Sequence, residues 1–394
     1  MRFLIVRNVP PDYTLWLYSQ HAGLEKRSFD EQLRAYAENP YLIADSYSHN
    51  LRRLGHEAID VIPNSEILQR TWAEENDMRI RESRPFRTLM GRFPRVLRAV
   101  RRFPGFLGVL LATLIESYEP TWLYDVLKAQ IRDFEPDILM NLAMDELSPS
   151  FMASMKSHAG MLVGQFGWPL PPAYDYRCYD LFLSALPNVV AQGRRLGIRS
   201  EVLPLGFDPR VLSRLNNSDR KFPVSFIGNL SRGYPWEPES YLKGRLELLE
   251  SLCNEVPIRI WGYEPLATDP SSPVRKVHMG PVWGMSTFQT LRDSKVALNV
   301  HGSHHGPFAS NVRLYETTGV GSLLVTDDKA NLHEIFEPDK EVVVYRNPTE
   351  CVRLVRYYLE HDAEREAIAS AGQKRTLRDH TYEKRMLRLL DLLS

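Results

Sequence analysis

Eleven short apolar runs, each closed by turn or polar residues and separated by stretches of helical periodicity, constrain this chain more than any other feature. In the first half they are FLIV at 3–6, AIDVI at 58–62, DILMNLA at 137–143, MLVGQF at 161–166, YDLFLSA at 179–185 and EVLPLGFDP at 201–209. In the second half they are VSFIGN at 224–229, IRIWGY at 258–263, KVALNVHG at 295–302, SLLVTD at 322–327 and EVVVY at 341–345. Apolar runs alternating with helices belong to parallel α/β units, whose strands are covered on both faces.

The chain has 394 residues, too many for one ordinary core, so two large domains are expected. The Pro/Gly-rich exit near Gly206 marks the boundary: an N-terminal domain over 1–206, a second over 207–378, and a terminal helix over 379–394 packing back towards the first domain. The fold class is therefore α/β, with two Rossmann-like doubly wound domains facing across a cleft. The carboxyl ends of strands are where such sheets hold ligands.

Charge excludes some classes. Lys plus Arg and Asp plus Glu both total 49, so nothing indicates a general attraction to nucleic acid. Three dispersed cysteines suggest neither a disulfide framework nor a zinc site and fit a reducing cytoplasm. The N-terminal apolar run ends at Pro10 and Pro11, too soon for a signal peptide or a membrane span.

NVRLYETTGVGSLLVTD at 311–327, followed by NLHEIFEPDKEVVVY at 331–345, resembles the donor-binding core of group 1 glycosyltransferases. DAEREAIASAGQKRTLRDHTYEKRM at 362–386 is similar to that family's closing helices, closest to the subgroup related to spore-maturation glycosyltransferases. The resemblance implies the two-domain GT-B architecture. It also implies transfer of a sugar from a nucleotide-sugar donor, with no cofactor and no bound metal, and a bacterial surface polysaccharide or glycoconjugate as product.

The residues point to the same chemistry. A departing nucleoside diphosphate gains negative charge, which fixed positive charge stabilises. Asn311 is expected to cap a helix whose second residue is Arg313, so that amides, dipole and guanidinium converge on a pyrophosphate. Glu316 lies about one turn further, about 5 Å along, in reach of the ribose hydroxyls; the competing reading is a surface i,i+3 ion pair with Arg313. Gly228, Asn229 and Arg232 follow the first strand of the second domain as a phosphate turn. Trp261, Tyr263 and Val282 are candidates for the nucleobase, with core packing as the alternative. His301, near His304 and His305, is assigned to sugar or phosphate hydrogen bonding in preference to metal ligation.

Many retaining members of the family carry an acid eight positions before the ribose glutamate, where this chain has Phe308, so inversion is favoured. Inversion needs a base in the first domain, for which Asp12, His21 and Asp145 are candidates. Nine arginines against one acid between 79 and 102, followed by FLGVLLATLI at 106–115, suggest that 79–115 holds an anionic membrane surface near a glycan or lipid-linked acceptor. A buried helix beside a solvated basic one is the alternative. Two other functions fit the same motifs: a non-catalytic nucleotide-sugar or glycan-binding module, and a sugar-nucleotide epimerase.

Overall fold

The computed structural model describes residues 1–80, 121–171, 175–217, 219–230, 239–263 and 268–394. It divides into two compact units, Met1–Leu203 and Pro204–Ser394. All eleven apolar runs contain strands. In the first unit these are β1 (Arg2–Val6), β2 (Glu57–Val61), β3 (Ile138–Asn141), β4 (Met161–Gln165), β5 (Leu181–Ser184) and β6 (Ser200–Val202); in the second they are β7 (Phe222–Ile227), β8 (Ile258–Trp261), β9 (Ser294–Asn299), β10 (Leu323–Asp327) and β11 (Val343–Tyr345). The basic apolar segment from residue 81 to 115 lies outside the described residues, as does Arg232.

Each unit has one parallel sheet, ordered β2-β1-β3-β4-β5-β6 in the first and β11-β10-β9-β7-β8 in the second. Counted from the first strand of each unit, both follow the doubly wound order 2-1-3-4-5, and the winding direction reverses between β1 and β3 and between β7 and β9. Phe3, Leu4, Ile5 and Val6 are all fully buried, which is why β1 reads as a continuous apolar run rather than an alternating one.

The second sheet shows how its two faces are sorted. Val296 and Leu298, Leu323 and Val325, and Val343 and Tyr345 face one core with Leu248, Leu252, Cys351 and Val355 from the helices Glu239–Glu255 and Pro348–Glu360. Ala297, Leu324 and Val344 face the other, with Phe288 and Leu314 from the helices Met285–Arg292 and Arg313–Gly319. Each buried Leu or Val contributes about 1.5–3 kcal/mol by area, so these two layers hold the unit together.

The ends of the second unit are laced to each other. The Phe207 amide donates to the His380 carbonyl at 2.8 Å, and the Tyr382 amide donates to the Phe207 carbonyl at 3.0 Å. Arg385, on the last helix Tyr382–Leu393, donates through Nε to the Leu205 carbonyl at 2.8 Å. Gly319 lets the Phe207 ring into this junction, because a Cβ there would fall 2.5 Å from it.

In the first unit Asp60 of β2 is buried and its pKa is pushed up to about 6 by burial, against the opposing influence of Arg7 and Ser48. An unfolded aspartate titrates near 3.9, so the neutral acid favours the folded state and stability falls as pH rises from about 4 to about 6. The expected outcome is that Asp60→Asn gains stability relative to the native chain across this interval in urea unfolding; a gap between the two that does not change with pH would contradict it.

Candidate functional site

The carboxyl edge of the second sheet collects the candidate donor residues at the point where its strand order reverses. Gly228 and Asn229 leave β7, and the Gly228 amide donates to the Trp261 carbonyl at 3.0 Å. The turn after β8 presses onto this backbone so closely that a Cβ on Gly262 would lie 2.1 Å from the Gly228 oxygen. Arg245 donates to the Asn229 carbonyl at 2.8 Å and fixes the turn from the helix side.

The aromatic candidates separate. Trp261 is buried and packs edge-on against Phe222 at 5.0 Å, so its ring serves the core and is not presented to a base. Tyr263 and Trp283 form an edge-to-face pair at 5.8 Å on the neighbouring loops and are only half-buried. The Val282 carbonyl accepts from Thr287 Oγ1 at 3.2 Å, which anchors the second of those loops.

Beyond β9 a polar network crosses the strand ends. Asn299 Nδ2 donates to Thr326 Oγ1 at 2.9 Å, and its Oδ1 accepts from Asn311 Nδ2 at 2.6 Å. Asn311 is therefore not the expected helix cap. The helix starts at Arg313 with Val312 preceding it, and the amides of Leu314, Tyr315 and Glu316 are already taken by the Asn311 and Val312 carbonyls. Tertiary bonding to Asn299 has outcompeted the cap. The helix is only seven residues long and has no side-chain cap, and the Arg313 guanidinium stands at its first position.

Arg313 and Glu316 do pair, NH1 to Oε2 at 2.5 Å, but the side chains are 16% and 7% exposed. This is a desolvated pair, not the solvated surface bridge that spacing alone permits. Arg313 Nε and Asn311 Oδ1 are buried with no hydrogen bond among the described residues.

Nothing in the local sequence marks Asp327, yet it organises His301. Its Oδ1 accepts from the His301 backbone amide at 3.1 Å and bonds His301 Nδ1 at 2.6 Å, while Lys329 approaches Oδ2 at 3.2 Å. Burial alone would raise its pKa, but the bond to His301 and the charges of His301 and Lys329 outweigh that and hold it at about 2. The signal that would have found it is register: Thr326 pairs with Asn299, so the next residue lies beside the His301 turn. His301 is fully buried, with Nε2 unpartnered among the described residues. His305 shares its Nδ1 with Gly302 at 3.1 Å, and burial, then the charge of His301, lowers its pKa to about 3. Among the described residues no group of three potential ligands could hold a metal ion.

In the first unit Asp12 lies exposed in the first turn of the helix Pro11–Gln20 after β1, and Asp145 follows β3, so both occupy the carboxyl edge at that sheet's reversal. His21 is not brought there. It ends the same helix, about 13 Å along the axis from Asp12, and its Nε2 meets Asn39 Nδ2 at 3.3 Å.

Residues 245–391 match a family model described as glycosyl transferase-like. The solved structures it resembles span both units. They include the Anabaena protein HepE in complex with UDP-glucose, with 11% identity, TM-score 0.55 and coverage of 100% of this chain and 99% of that one. Trehalose-6-phosphate synthase OtsA has 12% identity, TM-score 0.60 and coverage of 100% and 99%. The fold is GT-B. A glycosyltransferase from Rickettsia africae has the same GT-B likeness, with 12% identity, TM-score 0.54 and coverage of 99% and 97%. No curated protein matches the sequence. Among the described residues of this GT-B chain no helix is long and apolar enough to cross a membrane.

The contact between Gly262 and Gly228 supplies a test of how the edge is built. A methyl group at Gly262 has to move backbone, so Gly262→Ala should cost on the order of 1–3 kcal/mol and lower the urea midpoint. A midpoint equal to that of the native chain would contradict this packing.

Proposed function

We propose that the chain is a metal-independent glycosyltransferase of the spore-maturation-like subgroup, which moves a sugar from a nucleoside-diphosphate donor to an acceptor hydroxyl in building a bacterial surface polysaccharide or glycoconjugate. The observation that carries this reading is the desolvated Arg313–Glu316 pair, on the helix that follows β9 and within the stretch that matches the glycosyl transferase-like family. A buried ion pair whose arginine keeps an unmet donor is costly as a stability device and suited to a charged ligand.

In this reading Arg313, with Arg232 as a further candidate, neutralises the diphosphate as the anomeric C–O bond breaks, and Glu316 accepts from the ribose hydroxyls. Asn229, Tyr263 and Val282 border the nucleotide. A carboxylate of the first unit, Asp12 or Asp145, takes the proton from the acceptor hydroxyl as the new glycosidic bond forms, with inversion at the anomeric carbon. UDP is the first nucleotide to try, since a protein of this fold is seen with UDP-glucose. Residues 79–115 would bring the enzyme to an anionic membrane surface, and vesicle binding that weakens with salt is the matching readout.

The test is thermal stabilisation by UDP, GDP, TDP, CMP and ADP in EDTA, followed by turnover with and without acceptor. A saturating diphosphate at a hundredfold excess over its dissociation constant stabilises by about 2.7 kcal/mol. Stabilisation by one diphosphate, its loss in Arg313→Ala, and product only with acceptor are expected. Product without acceptor would mean an epimerase, tight binding without turnover a binding module, and no response to any nucleotide would overturn the reading.

A further inference from the structure

The first unit holds a buried cation that donor binding does not use. Arg7 follows the last residue of β1 and is only 6% exposed, with its backbone amide bonded to the Val61 carbonyl at 3.0 Å. A guanidinium carries five N–H donors. That of Arg7 makes no hydrogen bond among the described residues, and its Nε is wholly enclosed. The nearest acid, Asp60, approaches Nε only to 3.7 Å, beyond hydrogen-bond reach, while its Oδ2 accepts from Ser48. Asp60 Oδ1 is itself buried without a hydrogen bond. An arginine placed to neutralise this aspartate would make the short, two-pronged contact that guanidinium and carboxylate form at about 2.7–2.9 Å.

The surroundings are those of a polar binding floor. Gln165, the last residue of β4, is buried on the face of the sheet that Arg7 shares, and its Oε1 has no partner among the described residues. Asn64 laces the loops that follow β1, β2 and β3, accepting from the Val9 amide at 3.2 Å and donating to the Val9 carbonyl at 2.8 Å and to Glu146 at 3.2 Å. The Arg7 charge also bears on the phenols of Tyr13 and Tyr36. β1 and β3 are the strands between which this sheet reverses, the place where such sheets receive ligands.

We propose that Arg7 is the anion-binding residue of a second site, wholly within the first unit, which takes the phosphate or carboxylate group of an anionic acceptor sugar. This rests on the glycosyltransferase reading. It adds that the acceptor is charged, and that a cation at the end of β1 recognises the charge while the hydroxyl is activated by a neighbouring carboxylate. Charge-assisted bonds to a guanidinium of this kind correspond to about ten- to hundredfold in affinity.

The experiment measures thermal stabilisation of the full chain by inorganic phosphate, glucose 6-phosphate, glucuronate and glucose, with UDP as a separate arm. It uses the native protein, Arg7→Met, and the double variant Arg7→Met with Asp60→Asn, which leaves no lone buried charge should the single variant fail to fold. Glucose 6-phosphate or glucuronate should bind the native protein more tightly than glucose, and which of the two does so identifies phosphate or carboxylate as the group. The variants should lose that preference by about ten- to hundredfold and keep their response to UDP. An anion response that survives in the folded variant, or native protein that responds to UDP but to no anionic sugar, would overturn the proposal. Absence of a UDP response in the native protein would count against the donor site instead.

Discussion

The second unit is organised around a carboxylate and a guanidinium held out of water on a short helix. Burying two charges costs several kcal/mol per ion even after relaxation, and their mutual attraction regains this only when every remaining donor is met. Here Arg313 Nε is not met. The surrounding sequence is committed to keeping the pair in place: Asn299 of β9 bonds Thr326 of β10 on one side and Asn311 on the other, so the segment entering the helix is fixed by two neighbouring strands. Leu314 and Tyr315 of the same helix are buried in the core beneath it.

The same division of labour runs through both units. The bodies of the strands are apolar on two faces and supply most of the stability, whereas their carboxyl ends carry polar groups, most of them buried. Arg7, Asn141 and Gln165 occupy that edge in the first sheet, and Asn299, His301 and Asp327 occupy it in the second. Several of these leave atoms without partners among the described residues, which a protein tolerates where a ligand completes the set.

This division also explains what could be read in the sequence. Strands are legible because a doubly covered strand must be continuously apolar, and the same pattern gives the positions of Gly228 after a strand and of Glu316 one turn beyond an arginine. Asn311 misled because its side chain had two partners to choose from, a helix amide and Asn299, and only the register of β9 decides between them. For Trp261 the sequence leaves nucleobase and core packing both open, and the ring of Phe222, far away in the chain, decides for the core. Nothing local in the sequence marks Asp327 and Arg7: one matters through its contact with His301 across adjacent strands, the other through a buried guanidinium without a hydrogen bond among the described residues.

The most direct test of this account replaces Arg313 and Glu316 together by Met and Gln, and measures both unfolding stability and UDP affinity. If the pair exists for the ligand, the double variant should be as stable as the native protein or more so, since isosteric neutral replacement of a buried pair is often neutral or stabilising, while UDP affinity falls by about tenfold or more. A double variant that is destabilised by several kcal/mol and binds UDP as tightly as before would contradict it, and would make the pair a structural element of the core.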